Sequence, residues 1–228
     1  MEALVTIADR LREVRARIER AAEDAKRDPA SVKLVCVSKT KPASAIREAY
    51  AAGERRFGES YAQELAQKAV DLADLSEIEW HFIGHLQSNK TKIIAEHAHV
   101  MQTLDSPSLA RELARRVRNA GKTSLDVLIE VNVGGEAQKN GVTGSEIEET
   151  LAAIRAEDVL RARGLMTIPP DDPDEARKAF AALASLRNLH GGPSALPELS
   201  MGMSGDLELA VAAGATLVRI GTAIFGDR

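Results

Sequence analysis

One cysteine, one tryptophan and 3% aromatic residues leave this 228-residue chain without several kinds of chemistry. With Cys36 as the lone thiol no internal disulfide can form, so burial and hydrogen bonding must hold the fold, and a reducing compartment such as the cytoplasm is the expected setting. Few aromatics mean few platforms on which bases could stack. A strong excess of either charge is missing too. Thirty Lys and Arg stand against 34 Asp and Glu, and the formal charge of −4 supplies no pull toward nucleic acid or an anionic membrane. No apolar run is long enough to span a bilayer, and the first residues, MEALVTIADRLREVRARIERAAED, are charged throughout, unlike a secretion signal. A glycine-rich dinucleotide turn, a Walker loop, a GxSxG elbow and a Ser-His-Asp order are all lacking. His81 with His85, and His97 with His99, have no cysteine or carboxylate at ligand spacing, so no metal site is expected.

What is present is an alternation. Leu4, Ile7, Ala8, Leu11, Val14 and Ile18 recur at helical spacing, which predicts an amphipathic N-terminal helix within residues 1–27. Strand-like runs then alternate with helical ones: Val32–Ser38, Arg56–Gly58, Glu79–Ile83, His99–Leu104, Leu125–Val133, Leu160–Met166, Leu199–Met201 and Thr216–Ile220 are the strands. Helical patterns lie between them, the one before Arg155 opening at Ser145 with Glu148 as a capping-box partner. Eight strand-helix units with short connections, and no linker rich in Pro, Gly or Ser, predict one domain over residues 1–228. Its expected fold is a (β/α)8 barrel of the TIM type with the extra N-terminal helix packed on it. A doubly wound open sheet is the alternative, disfavoured because SKTKPAS follows the first strand where a glycine turn would be needed.

In such a barrel, chemistry sits at the C-terminal ends of the strands. Val35, Val37 and Lys39 share one parity, so a lysine faces the barrel mouth if the valines face the interior; Cys36 is out of phase and reads as a buried structural thiol. Apolar surroundings lower an amine's pKa, which turns a lysine into a nucleophile toward an aldehyde. Lys41 has the same parity but lies past the strand beside Pro42, which fits a solvated role, and Lys139 after the fifth strand is a further candidate for the mouth. At the other end of the chain, Ser204, Gly221 and Thr222 follow the seventh and eighth strands, where barrels often bind phosphate through backbone N–H groups and hydroxyls. Strands one and eight are adjacent in a closed barrel. An amine and a phosphate cup side by side describe a pocket for an aldehyde that carries a phosphate.

VSKTKP, FGESYAQE, EWHFIGHLQSNK, EVNVGGEAQKNGV, RGLMTIPP and LSMGMSGDLELAVAAGATLVRIGTAIFG, in this order and spacing, resemble the pyridoxal 5′-phosphate homeostasis proteins, the YggS/PROSC family. The resemblance covers nearly the whole chain after the N-terminal helix. It implies a barrel like that of alanine racemase, Lys39 as the aldimine lysine, Ser204, Gly221 and Thr222 around the phosphate, Arg219 near the pyridine nitrogen, and His81 near the mouth. The family usually has FGEN where this chain has Phe57-Gly58-Glu59-Ser60, and a serine cannot reproduce the amide's donor-plus-acceptor reach.

Three classes of function follow. The first is a pyridoxal-phosphate-binding protein of vitamin B6 homeostasis, a monomer that hands its cofactor to apo-enzymes. The second is a racemase-like enzyme using the same cofactor, and the third a Schiff-base aldolase with none. The first is favoured over the second because the chain ends just after the last strand's turn and Tyr50 and Tyr61 are its only tyrosines. A racemase's second domain and its catalytic tyrosine are not expected.

Overall fold

Apolar positions every three or four residues, alternating with short β-branched runs, produce a closed barrel in the computed structural model, which describes residues 5–136 and 139–226. After α1 (Ile7–Asp24) come β1 (Lys33–Val37), α2 (Ala43–Ala51), β2 (Arg56–Glu59), α3 (Ala62–Asp71), β3 (Glu79–Phe82) and α4 (Thr91–His97). The series continues through β4 (Val100–Leu104), α5 (Pro107–Asn119), β5 (Leu125–Glu130), α6 (Ile147–Arg155), β6 (Leu160–Met166), α7 (Pro173–Leu189) and α8 (Gly192–Ala195). It ends with β7 (Glu198–Ser200), α9 (Leu207–Ala212), β8 (Leu217–Ile220) and α10 (Thr222–Phe225). Neighbouring strands pair in parallel from β1 to β8, and β8 closes on β1 with Val35 opposite Arg219. Leu4 of the predicted first helix lies outside the described residues.

The N-terminal helix has a structural place in the ring. A capping box between Thr6 and Asp9 starts it, and buried Leu11, Val14 and Ile18 form its inner stripe. It packs against α9 and α10 on one side and α2 on the other, over the seam between β8 and β1. A barrel normally covers that seam with the helix after its last strand, but α10 has four residues and cannot do so alone.

Parity separates two cores. Val35, Val100, Leu128, Met166 and Leu217 form a small apolar layer inside the barrel. Cys36 belongs to the larger core between strands and helices, where burial pushes its thiol pKa up and leaves it inert. Below the inner layer, at the N-terminal end of the strands, Lys33–Glu198 (2.7 Å), Arg56–Glu79 (3.4 Å) and Arg163–Asp126 (3.6 Å) close the barrel floor with ion pairs. No helix among the described residues is long and apolar enough to cross a membrane.

One local expectation is corrected, and one element was not foreseen. The cap before α6 is Thr143, which forms its box with Glu146: a 3-10 turn over Gly144–Glu146 starts the helix early and displaces the Ser145/Glu148 pairing. The four-residue α8 carried no periodic signal because it is shorter than two turns.

Candidate functional site

At the C-terminal face a cavity of about 320 Å³ is lined by Val37, Lys39, Ser60, Ile83, Ile168, Met203, Ser204, Arg219, Gly221 and Thr222. All five residues singled out for cofactor contact therefore share one wall set. Lys39 arrives two residues past β1, half-buried, on the parity of Val35 and Val37. Ser204 sits in the loop after β7, and Gly221 leads from β8 into α10, whose first residue is Thr222. At Gly221 a Cβ would come 3.2 Å from the Val37 carbonyl oxygen, tighter than most such contacts, so the glycine lets this turn lie close against the strand that delivers Lys39. Apolar Ile83, Ile168 and Met203 complete the walls. Each follows a strand end, but strand-end position alone does not say which residues turn inward.

Arg219 is 5% exposed, and its guanidinium is fully employed on one side. Nη1 donates to Ser200 Oγ (2.7 Å) and Nη2 to the Thr167 carbonyl (2.9 Å). Burial pulls its pKa down to about 10, which still leaves it protonated at neutral pH. The chain of bonds continues downward. Ser200 donates to Gln102 Oε1 (2.6 Å), Gln102 Nε2 bonds His81 Nδ1 (2.8 Å), and His81 Nε2 bonds Glu79 Oε1 (2.7 Å). The Glu79 carboxyl, drawn down to about 2 chiefly by that hydrogen bond, accepts only, so His81 carries its proton on Nε2 and receives one from Gln102 at Nδ1. His81 is thus corrected from a mouth residue to one in the lower half of the barrel, where it lines a cavity of about 140 Å³ at the opposite end. Its place on β3, between Trp80 and Phe82 and two residues short of Ile83, sets it one layer below the pocket.

A further carboxyl was not anticipated. Glu130 ends β5 on the same parity as Leu128 of the inner layer, is 6% exposed, and leaves Oε2 without a hydrogen-bond partner. Burial, assisted by Asp105 and opposed by Arg219, lifts its pKa to about 7. A glutamate at a strand end looks like a solvated residue in sequence, and only barrel closure buries it.

The other lysines lie elsewhere. Lys41 closes a turn through its N–H on the Ser38 carbonyl (3.0 Å) and is not among the pocket walls, and Lys139 pairs with Glu136 (2.7 Å). Tyr50 hydrogen-bonds Glu77 on the outer surface, whereas exposed Tyr61 lines a second cavity that adjoins the first at Ser60. Ser60, the departure from the family pattern, is itself a pocket wall.

The alanine racemase N-terminal domain family matches residues 10–228. The pyridoxal phosphate homeostasis protein of Pseudomonas aeruginosa is 50% identical, covering 98% of this chain and 96% of its own. That of Escherichia coli K12 is 44% identical, covering 97% of each. Among solved structures, PipY of Synechococcus elongatus with PLP bound superposes with a TM-score of 0.83 at 38% identity, covering 97% of this chain and all of that one. The alanine racemase of Corynebacterium glutamicum, at 20% identity and a TM-score of 0.64, shares the fold over 95% of this chain and 61% of its own. A closed eight-stranded barrel and full-length similarity at these identities agree: the chain belongs to the alanine racemase N-terminal domain family and, within it, to the pyridoxal phosphate homeostasis proteins.

Proposed function

We propose that this protein holds pyridoxal 5′-phosphate in the pocket at the C-terminal face and hands it on, as a monomer in the cytoplasm, to enzymes that need it. The observation that carries the reading is the company Lys39 keeps: one cavity gathers an amine, three hydroxyls, a tight glycine turn and a buried guanidinium. The donor set fits the ligand. The Lys39 amine adds to the aldehyde carbon and water leaves, giving a Schiff base. Ser204, Thr222 and the N–H groups of the Gly221-Thr222 turn offer neutral donors to the phosphate, while Val37, Ile83, Ile168 and Met203 offer apolar surface to the ring. Arg219 only donates, so at the pyridine nitrogen it would leave that atom unprotonated and the ring a weak electron sink. That favours storage over carbanion chemistry. Ile168 and Met203 are 45% and 36% exposed at the pocket, and such a solvent-facing edge suits exchange with a partner better than a reaction that must exclude water.

Lys39→Ala tests the reading. The wild-type protein should be yellow with cofactor and yield a borohydride-fixed adduct on Lys39; the variant should lose both, and Lys41→Ala and Lys139→Ala should keep them. A colourless wild type would point to cofactor-free aldehyde chemistry. Lys39-dependent turnover of amino acids at ~1 s⁻¹ or above, the lower range of ordinary enzymes, would establish the racemase-like alternative in its place.

A further inference from the structure

Lys68 lies on the inner face of α3, 5% exposed, where an ammonium is costly unless every donor is used. All three are. Nζ donates to the Ser38 carbonyl, to Glu59 Oε1 and to Glu64 Oε1, each at 2.7 Å. Glu59 also accepts from the Ser38 hydroxyl (2.7 Å), and Glu64 also accepts from the Thr40 backbone N–H (2.6 Å). These five bonds converge on the residues either side of Lys39. Ser38 is held by its hydroxyl and carbonyl, and by its N–H on the Gly58 carbonyl (3.0 Å); Thr40 is held by its N–H.

The turn needs holding. Lys41 N–H bonds the Ser38 carbonyl, which makes Ser38–Lys41 a β-turn with Lys39 and Thr40 at its centre, and Thr40 has φ of 64°. A turn with its third residue in that region ordinarily takes glycine or asparagine, and a β-branched residue there is strained. Strain of this kind persists only where the surroundings over-determine the conformation. Apolar side chains could fill the space beneath α3 as well as a buried ion cluster does, often with equal or greater stability. They could not give the Ser38 carbonyl a second donor beside the Lys41 N–H, or hold Glu64 where it accepts from the Thr40 N–H.

We propose that Lys68, locked between Glu59 and Glu64, is a positioning residue for Lys39: it holds the backbone on both sides of the nucleophile so that the amine is presented to the pocket, without itself touching the ligand. The inference rests on the reading of Lys39 as the residue that bonds the aldehyde. It adds a requirement from outside the pocket.

The test compares two probes, pyridoxal 5′-phosphate and pyridoxine 5′-phosphate, whose alcohol cannot form the C=N bond. Lys68→Met should slow or diminish the borohydride-fixed Lys39 adduct about tenfold or more, as misplacement of a reacting group by an ångström does, while pyridoxine 5′-phosphate binds within about twofold of wild type. Equal loss with both probes, or no loss with either, overturns the proposal. If Lys68→Met does not fold, Glu64→Ala removes the Thr40 acceptor from a partly exposed side chain and should show the same selective loss, with Glu64→Gln, which keeps an acceptor oxygen, restoring the rate; failure of that contrast also overturns it. A wild-type protein that forms no Lys39 adduct refutes the functional reading, a result distinct from any of these.

Discussion

Glu130 is a residue whose behaviour the fold changes strongly. With its carboxyl ordinarily near 4.5 and lifted to about 7 by burial and Asp105 against the pull of Arg219, the folded protein keeps a proton that the unfolded chain releases. The folded state is therefore favoured by this group below about pH 4.5, and that advantage is lost as pH rises toward 7, by about 3 kcal/mol in all. Glu130→Gln keeps the shape and removes the titration. Denaturant unfolding across pH 5 to 8 should show the wild type losing stability over that span relative to the variant, and the variant the more stable at pH 8. Parallel curves would mean that Glu130 is ionised in the folded protein throughout. Lys39, Ser204, Gly221 and Thr222 were legible because strand parity and strand order are enough to bring them together. Glu130 was not, because its environment comes from Asp105, just past β4, and Arg219 on β8, which meet it only when the barrel closes.

At the level of elements, α1 links the outer ring to the pocket. Arg17 donates through Nη2 to the Ser204 carbonyl (3.1 Å) and through Nε to Glu208 (3.0 Å), so the helix before the barrel braces the loop after β7. Arg17→Ala should leave helix content unchanged and weaken cofactor binding by about three- to tenfold, part of the worth of one charge-assisted hydrogen bond, because the bond orders the loop and does not reach the ligand. Equilibrium titration with cofactor checks it; unchanged affinity would show that the Ser204 loop holds its shape without the helix. The helix itself was legible from its 3.6-residue stripe, and most strand boundaries fell within two residues of expectation because β-branched runs ended at glycine, proline or a charge. Caps were less legible. Thr143 displaced Ser145 as the cap of α6 because a 3-10 turn intervened, and such turns leave no periodic trace.

For the whole molecule, eight alternations in a chain of this length sufficed to give the barrel and its strand order, but not the inside of it. Register shifts between β4 and β5 and between β5 and β6 change which residues face inward, and a two-residue parity rule cannot follow a bulge. The column Arg219–Ser200–Gln102–His81–Glu79 was hidden for that reason, since its members come from four strands far apart in sequence. It runs through an interior that barrels usually fill with branched apolar side chains, and it joins the pocket at one face to the ion-paired floor at the other. Its donors all point one way, from the guanidinium to the Glu79 carboxylate, so each member is satisfied only while its neighbours are. Gln102 is the link to remove. Gln102→Met nearly conserves volume but strands the Ser200 hydroxyl and His81 Nδ1, and should cost roughly 2–5 kcal/mol, one desolvation penalty for each orphaned group. If the column acts as a unit, His81→Leu added to Gln102→Met should cost less than His81→Leu alone, with a coupling of about 1–3 kcal/mol from a double-mutant cycle. Additivity to within ~0.5 kcal/mol would show two independent hydrogen bonds instead.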